Sequence, residues 1–235
     1  MWKLYDDLYI GIPSGLRIES CTIGKEWTAV RANGNVGLAR TLELPANPLE
    51  FAASFKGAWL RETANHMKWD SLARASVGVA AMNAWYNTRE RAEGLDGLDA
   101  PGAYKGKVAY VGDYKEGNVF PLPMSPDFDT AAYAKLKDFD TVVICANALI
   151  TRALPKLLDI IGESGHAVIT GYSVPCSALF FAFDMPVCEL RGYYPTSLGS
   201  FEIRAVKTIP DPAGAMPFTI SREKVKKIRE NAKPR

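Results

Sequence analysis

Residues 140–181 read DTVVICANALITRALPKLLDIIGESGHAVITGYSVPCSALFF. A short β-branched run, Thr141 to Cys145, is followed by a polar turn and a helical pattern. A second run, Ala167 to Thr170, leads into the loop Gly171-Tyr-Ser173. Parallel strands need such a crossover, so this stretch predicts a strand–helix–strand unit. Ligands of open α/β sheets sit beyond the carboxyl ends of the strands. The loops after Cys145 and Thr170 are therefore where a site is expected. In the crossover helix Thr151 is the expected N-cap, which leaves Pro155 in the first turn, where proline is tolerated.

Upstream the pattern is different. Trp2, Tyr5, Leu8, Tyr9 and Ile12 recur at helical steps and are stopped by Gly11, Pro13 and Gly15. Three strand-like runs follow, Leu16 to Ile23, Trp27 to Ala32 and Val36 to Glu43. Asn33-Gly34 joins the last two as a two-residue hairpin turn, because both residues tolerate positive φ. Pro48 opens a helical stretch from Leu49 to His66, broken near Gly57. Asp70 or Ser71 caps a further helix to about Arg91. Its Ala-, Ser- and Gly-rich middle predicts burial against the meander, with another backbone close to Gly78.

Glu93 to Lys107 is rich in Gly and Pro and marks the expected domain boundary. Beyond it come a strand (Val108 to Val111), a weak strand (Val119 to Leu122) and a short helix capped by Asp129 or Thr130. After the central unit, a short helix is expected over Cys176 to Ala182 and a last strand over Pro186 to Leu190. Met216 to Ile220 reads as extended, and Ser221 to Asn231 as a basic helix. The expected architecture is an α+β domain of antiparallel meander and helices (residues 1–100), then an α/β Rossmann-like domain (residues 101–235).

The chain has 235 residues, 48% hydrophobic and 23% charged, enough for a full core without staples. Its four cysteines, Cys21, Cys145, Cys176 and Cys188, form no CxxC pair and read as reduced thiols of a cytoplasmic protein. No apolar run is long enough to span a bilayer, and acidic residues stand where a signal peptide would be basic. Residues 221–235 hold seven Lys or Arg against two Glu, so the remaining chain is net acidic although the total is +2. That excludes a globally basic nucleic-acid binder and leaves the tail as a solvated helix or a docking element. A homodimer is expected on general frequency alone.

Five segments resemble a known family: WTAVRANGNVGLART (27–41), SVGVAAMNAWYN (76–87), KVAYVGDY (107–114), FDTVVICANALITRALPKLL (139–158) and GHAVITGYSVPCSALFFAFDMP (165–186). The chain resembles the two-domain heavy-metal chelation proteins of bacteria and archaea, first catalogued as a domain of unknown function. The resemblance implies an enolase-N-terminal-like domain joined to a Rossmann-like domain, with the ligand site between them and a divalent or heavy-metal ion as candidate cofactor. Two departures stand out. The family's Gly-His-Phe-Pro type loop is Gly112-Asp-Tyr-Lys115 here, and its acidic, Pro-containing segment is the apolar Val119-Phe-Pro-Leu-Pro123.

The residues themselves give candidates rather than a reaction. At strand ends and in the loops stand Gly112, Asp113, Tyr114, Asn147, Gly171, Tyr172 and Ser173. Asn147 reads as a ligand contact or a turn residue. Asn83 lies in apolar surroundings, where an amide needs partners, either a structural bond or a ligand. Asn33 and Asn35 reach a cleft only if domain docking brings the hairpin there. Gly171 to Cys176 reads as a strand end leading to a helix start, suited to an anion or to a cap. With only His66, His166 and scattered cysteines, no local metal motif exists, and Cys176 with Asp113 are the candidate metal ligands. As an enzyme, the chain would use Asp113, Lys115 or Cys176 as the reacting group. The expected ligand is a small anionic or metal-chelating molecule in the interdomain cleft. An enzyme acting there on a small molecule is the alternative reading.

Overall fold

The computed structural model describes residues 2–92, 104, 106–181, 185–195 and 215–231. Helix α1 (Lys3–Ile10) buries Leu4, Tyr5 and Leu8. Strands β1 (Ile18–Ile23), β2 (Trp27–Ala32) and β3 (Asn35–Arg40) form an antiparallel meander. The β2–β3 turn is Asn33-Gly34, at φ 51° and 73°, so Ala32 pairs with Asn35 and Trp27 with Arg40 at the open end. β3 stops at Arg40, short of the expected Glu43, since Pro45 and Pro48 bracket the chain that follows.

The next stretch breaks at Gly57 as expected. Helix α2 (Pro48–Ala53) is capped by the Asn47 side chain, and α3 (Leu60–Ala64) runs into a 3-10 turn over Asn65–Lys68. Helix α4 (Leu72–Tyr86) has Ser71 as N-cap and is buried on nearly all sides. It ends at Tyr86 rather than near Arg91, and a separate short helix α5 (Arg89–Ala92) follows.

Two glycines set the packing of α4. A Cβ on Gly78 would stand 2.3 Å from the Met67 nitrogen, and one on Gly37 of β3 would stand 2.0 Å from the Ala84 nitrogen. Backbone meets backbone at both points, which fixes the height of the meander over the helix. The boundary expected over Glu93 to Lys107 lies outside the described residues, apart from Tyr104, Gly106 and Lys107.

The second sheet has the order β5-β4-β6-β7-β8-β9. Its strands are β4 (Val108–Val111), β5 (Asn118–Phe120), β6 (Thr141–Cys145), β7 (Ala167–Thr170), β8 (Val187–Pro195) and β9 (Ala215–Ser221). All neighbours are parallel except β8 and β9. β8 is longer than expected, and β9 pairs along it, so β8 is not the last strand. The β6–β7 crossover divides into α6 (Asn147–Ile150) and α7 (Leu154–Ile161). Thr151 does not cap α7. It lies in the break before Ala153, and its hydroxyl is buried without a partner among the described residues. Pro155 does fall in the first turn of α7. Helix α8 (Arg222–Asn231) packs on β8 and β9. No helix among the described residues is long and apolar enough to cross a membrane, and all four cysteines are free.

Candidate functional site

The carboxyl ends of β4, β6 and β7 deliver three loops to one place. Gly112-Asp113 follows β4, Asn147 follows β6, and Gly171-Tyr172-Ser173 follows β7. Gly112, at φ 134°, lies against Cys145, where an added Cβ would stand 2.5 Å from the cysteine's own. Only glycine fits there, because both the backbone angle and the space exclude a side chain. Asp113 is therefore presented beside Cys145, at the surface.

Strand β3 closes the arrangement from the other sheet. The Arg40 backbone N–H donates to Ser173 Oγ (3.1 Å), and that hydroxyl donates to Asn147 Oδ1 (3.2 Å). One serine, 1% exposed, thus ties the end of the meander to two loops of the parallel sheet. The Arg40 guanidinium lies 3.2 Å from Glu26 Oε2 and 5.3 Å from the centre of the Trp27 ring.

Helix α4 holds the third loop by an asparagine ladder. Asn83 donates to the carbonyls of Leu38 (2.8 Å) and Tyr172 (3.4 Å). Asn87 donates to those of Val174 (2.8 Å) and Tyr193 (3.1 Å) and accepts from the Cys176 N–H (2.7 Å). The spacing explains the fit. Residues four apart on a helix stand about 6 Å from each other, and residues two apart in extended chain stand about as far. So Asn83 and Asn87 read alternate residues of the loop 172–176. Both are buried, where an unpaired amide would be costly. The Asn83 Oδ1 atom has no partner among the described residues.

Aromatic rings shape the wall beside this loop. Tyr172 stacks on Tyr193 (4.2 Å between centroids, 14°) and receives the edge of Trp27 (5.0 Å). Its ring also covers Ala29, Val36 and Leu38. Tyr114 packs against Tyr110 (5.0 Å), and burial raises its phenol far above the ordinary range.

Cys145 records the charge balance of the site. Burial raises its thiol pKa, the Asp113 carboxylate raises it further, and Arg40 and an N–H bond from Asn147 lower it. Cys176 is different. Burial pushes it up to about 12, its sulfur lies 3.8 Å from the Arg91 carbonyl, and its N–H is taken by Asn87. Its sulfur and N–H are engaged in packing, and burial disfavours the thiolate form. The expected helix start behind Gly171 does not form. Among the described residues only a four-residue 3-10 turn, Ala178–Phe181, follows, and the Cys176 N–H ahead of it is already bonded to Asn87.

The sequence candidates divide accordingly. Gly112, Asp113, Tyr114, Asn147, Gly171, Tyr172 and Ser173 come together at the carboxyl ends. Asn83 supports them from behind. Asn33 and Asn35 do not join them. They sit at the closed end of the hairpin, where Asn35 donates to the Asn33 carbonyl, five register pairs from Arg40. Among the described residues no group of three or more His, Cys, Asp or Glu could hold a metal ion, so a heavy-metal centre made of side chains does not fit them. His166 lies at the opposite end of the sheet, lining a cavity of about 760 Å³ with Lys137, Glu189 and Glu223.

Sequence reading missed Arg40, Glu26, Trp27, Cys145 and Asn87 as site residues. The hairpin register already placed Arg40 opposite Trp27, and Asn87 repeats Asn83 one helical turn on. Nothing local says which end of the hairpin meets the second sheet.

Two family models match the chain, over residues 5–86 and 105–197, and both are described as "Putative heavy-metal chelation". No curated protein matches it. Two solved structures of unknown function from the family of the second model are similar. One is from Desulfitobacterium hafniense, with 23% identity, a TM-score of 0.78, and coverage of 94% of this chain and 97% of that one. The other is from Pyrococcus horikoshii, with 19% identity, a TM-score of 0.72, and coverage of 93% and 98%. At these identities the likeness is one of fold.

Proposed function

Since the chain belongs to the two-domain family described as putative heavy-metal chelation, we propose that it binds a small anionic or metal-chelating ligand between its two domains. The boundary between them falls near residue 100 in this reading. One observation carries the proposal. Ser173 joins Arg40 of the meander to Asn147 of the parallel sheet, at the strand ends where α/β sheets take their ligands. Arg40 and Asp113 are both presented there, half-buried and exposed respectively. Interdomain seams of this kind are common ligand sites.

In this account Arg40 holds an acidic group, Asn147 and Ser173 orient it, and the asparagines of α4 keep the loop in place. When a metal is bound, the ligand supplies most of its donors. The enzyme reading draws support from Asp113 at the surface beside Cys145, a position open to a substrate. Cys176 has no part in either reading.

Native mass spectrometry with elemental analysis of the purified protein tests the proposal. The expected result is a stoichiometric adduct in the wild type that is lost in Arg40→Ala. A wild type free of adduct, or an adduct kept in Arg40→Ala, overturns it.

A further inference from the structure

Residues of opposite charge come to the seam from its two sides. Asp113 comes from the β4 loop and lies against Cys145 through its neighbour Gly112. Arg40 comes from the meander, and its backbone N–H is tied through Ser173 to Asn147, two residues beyond the same thiol. Glu26 engages Nη1 of Arg40, and among the described residues that is the only bond of the guanidinium, whose side chain remains 36% exposed. Asn147 uses its oxygen for Ser173, so among the described residues its amide donors are uncommitted.

This pattern discriminates between ligand classes. A ligand carrying only negative charge would meet Arg40 but also Asp113 and Glu26. A bare metal ion would meet Asp113 but also Arg40, and it would find no group of three ligating side chains among the described residues. A molecule with one group of each sign suits both neighbours, because close like charges repel while close opposite charges attract. Once its nitrogen has given up its proton to solvent, such a molecule also closes a chelate ring on a divalent metal through that nitrogen and a carboxylate oxygen.

We infer that the metal-free ligand of the seam is an aminocarboxylate, its carboxylate on Arg40 and its cationic nitrogen toward Asp113, and that loss of the nitrogen's proton to solvent frees the lone pair with which this ligand, rather than the protein, provides the metal donors. The inference rests on the reading of the seam as the ligand site. It accounts for a family description that names chelation in a chain whose described residues hold no chelating cluster.

Two probes of equal length separate the classes. Iminodiacetate carries a protonated nitrogen between two carboxylates, and glutarate has a methylene in its place. Isothermal titration of the full chain, stripped of any adduct, is expected to show iminodiacetate binding about tenfold or more tighter than glutarate. That preference disappears in Asp113→Asn, whereas Arg40→Gln weakens both probes. Zinc alone binds no more tightly to the wild type than to Asp113→Asn. Glutarate binding as well as iminodiacetate, a preference that survives Asp113→Asn, or no binding of either probe at millimolar concentration overturns the ligand class. The seam itself is tested separately. An adduct lost in Arg40→Ala but lacking a basic nitrogen keeps the seam and removes the aminocarboxylate. Iminodiacetate binding unchanged in Arg40→Gln removes both.

Discussion

The two ends of the six-stranded sheet are built differently. At the amino ends a cavity of about 760 Å³ opens between His166, Lys137, Glu189 and Glu223. Three of its lining residues are spent locally. Arg191 is bonded to Glu189, and Asp140 accepts from the Lys107 N–H. At the carboxyl ends side chains from separate elements converge. Arg40, Ser173 and Asn147 from three segments are joined by hydrogen bonds, with Asp113 beside them. Volume alone does not make a site. Convergence of side chains from separate elements does, because it takes a whole fold to arrange and has no role in the folding of any one element.

The largest effect is expected at Asn87. Asn87→Ala leaves the Val174 and Tyr193 carbonyls and the Cys176 N–H unpaired in a buried place. The expected loss is about 3 kcal/mol of unfolding free energy, read by urea denaturation. A loss below 1 kcal/mol, taken roughly as the worth of a single exposed bond, would mean that α4 does not hold the carboxyl-end loop.

Gly37→Ala acts on the same end through the meander. Its new Cβ meets the α4 backbone, so β3 must lift and carry Arg40 with it. Destabilisation of about 2–3 kcal/mol is expected, together with loss of any bound adduct. Ser173→Ala sharpens the contrast, since it removes the hydroxyl that joins Arg40 to Asn147. Adduct retention should fall about tenfold with a stability cost near 1 kcal/mol.

A pH effect of similar size comes from a third region. Burial, helped by the nearby Arg74 charge, lowers the His66 pKa to about 4. The unfolded chain therefore takes up this proton first as pH falls. The contribution of neutral His66 is complete above about pH 6.5 and is lost as pH falls toward 4. Because the ring is only partly buried, the expected loss is about 1–2 kcal/mol. Stability curves of His66→Phe should be flatter across that window, and an unchanged slope would contradict the assignment. The smallest effect is expected at the amino ends, where Lys137→Ala should change stability by about 0.5 kcal/mol or less and leave adduct retention intact.

The sequence carried the elements well and the seam only in part. The runs Thr141 to Cys145 and Ala167 to Thr170 are strands because β-branched residues flank a crossover of sufficient length. Asn33-Gly34 made its hairpin, and Gly78 marked a close backbone contact, now seen at Met67. These features are local, and local chemistry decides them. Thr151 misled because a cap depends on where the helix begins, and the chain breaks after Ile150 instead. The strand-end residues Asp113, Asn147 and Ser173 were legible from the rule for α/β sheets. Arg40 and Asn87 were not, because their partners lie 133 and 87 or more residues away. Only the packing of the two sheets against α4 decides those pairings.

A crystal structure of the protein as purified would locate the ligand. The account predicts difference density for a small molecule bounded by Arg40, Asp113 and Asn147. Density for a bound molecule in the cavity beside His166 and Glu223, with the seam empty, would contradict it.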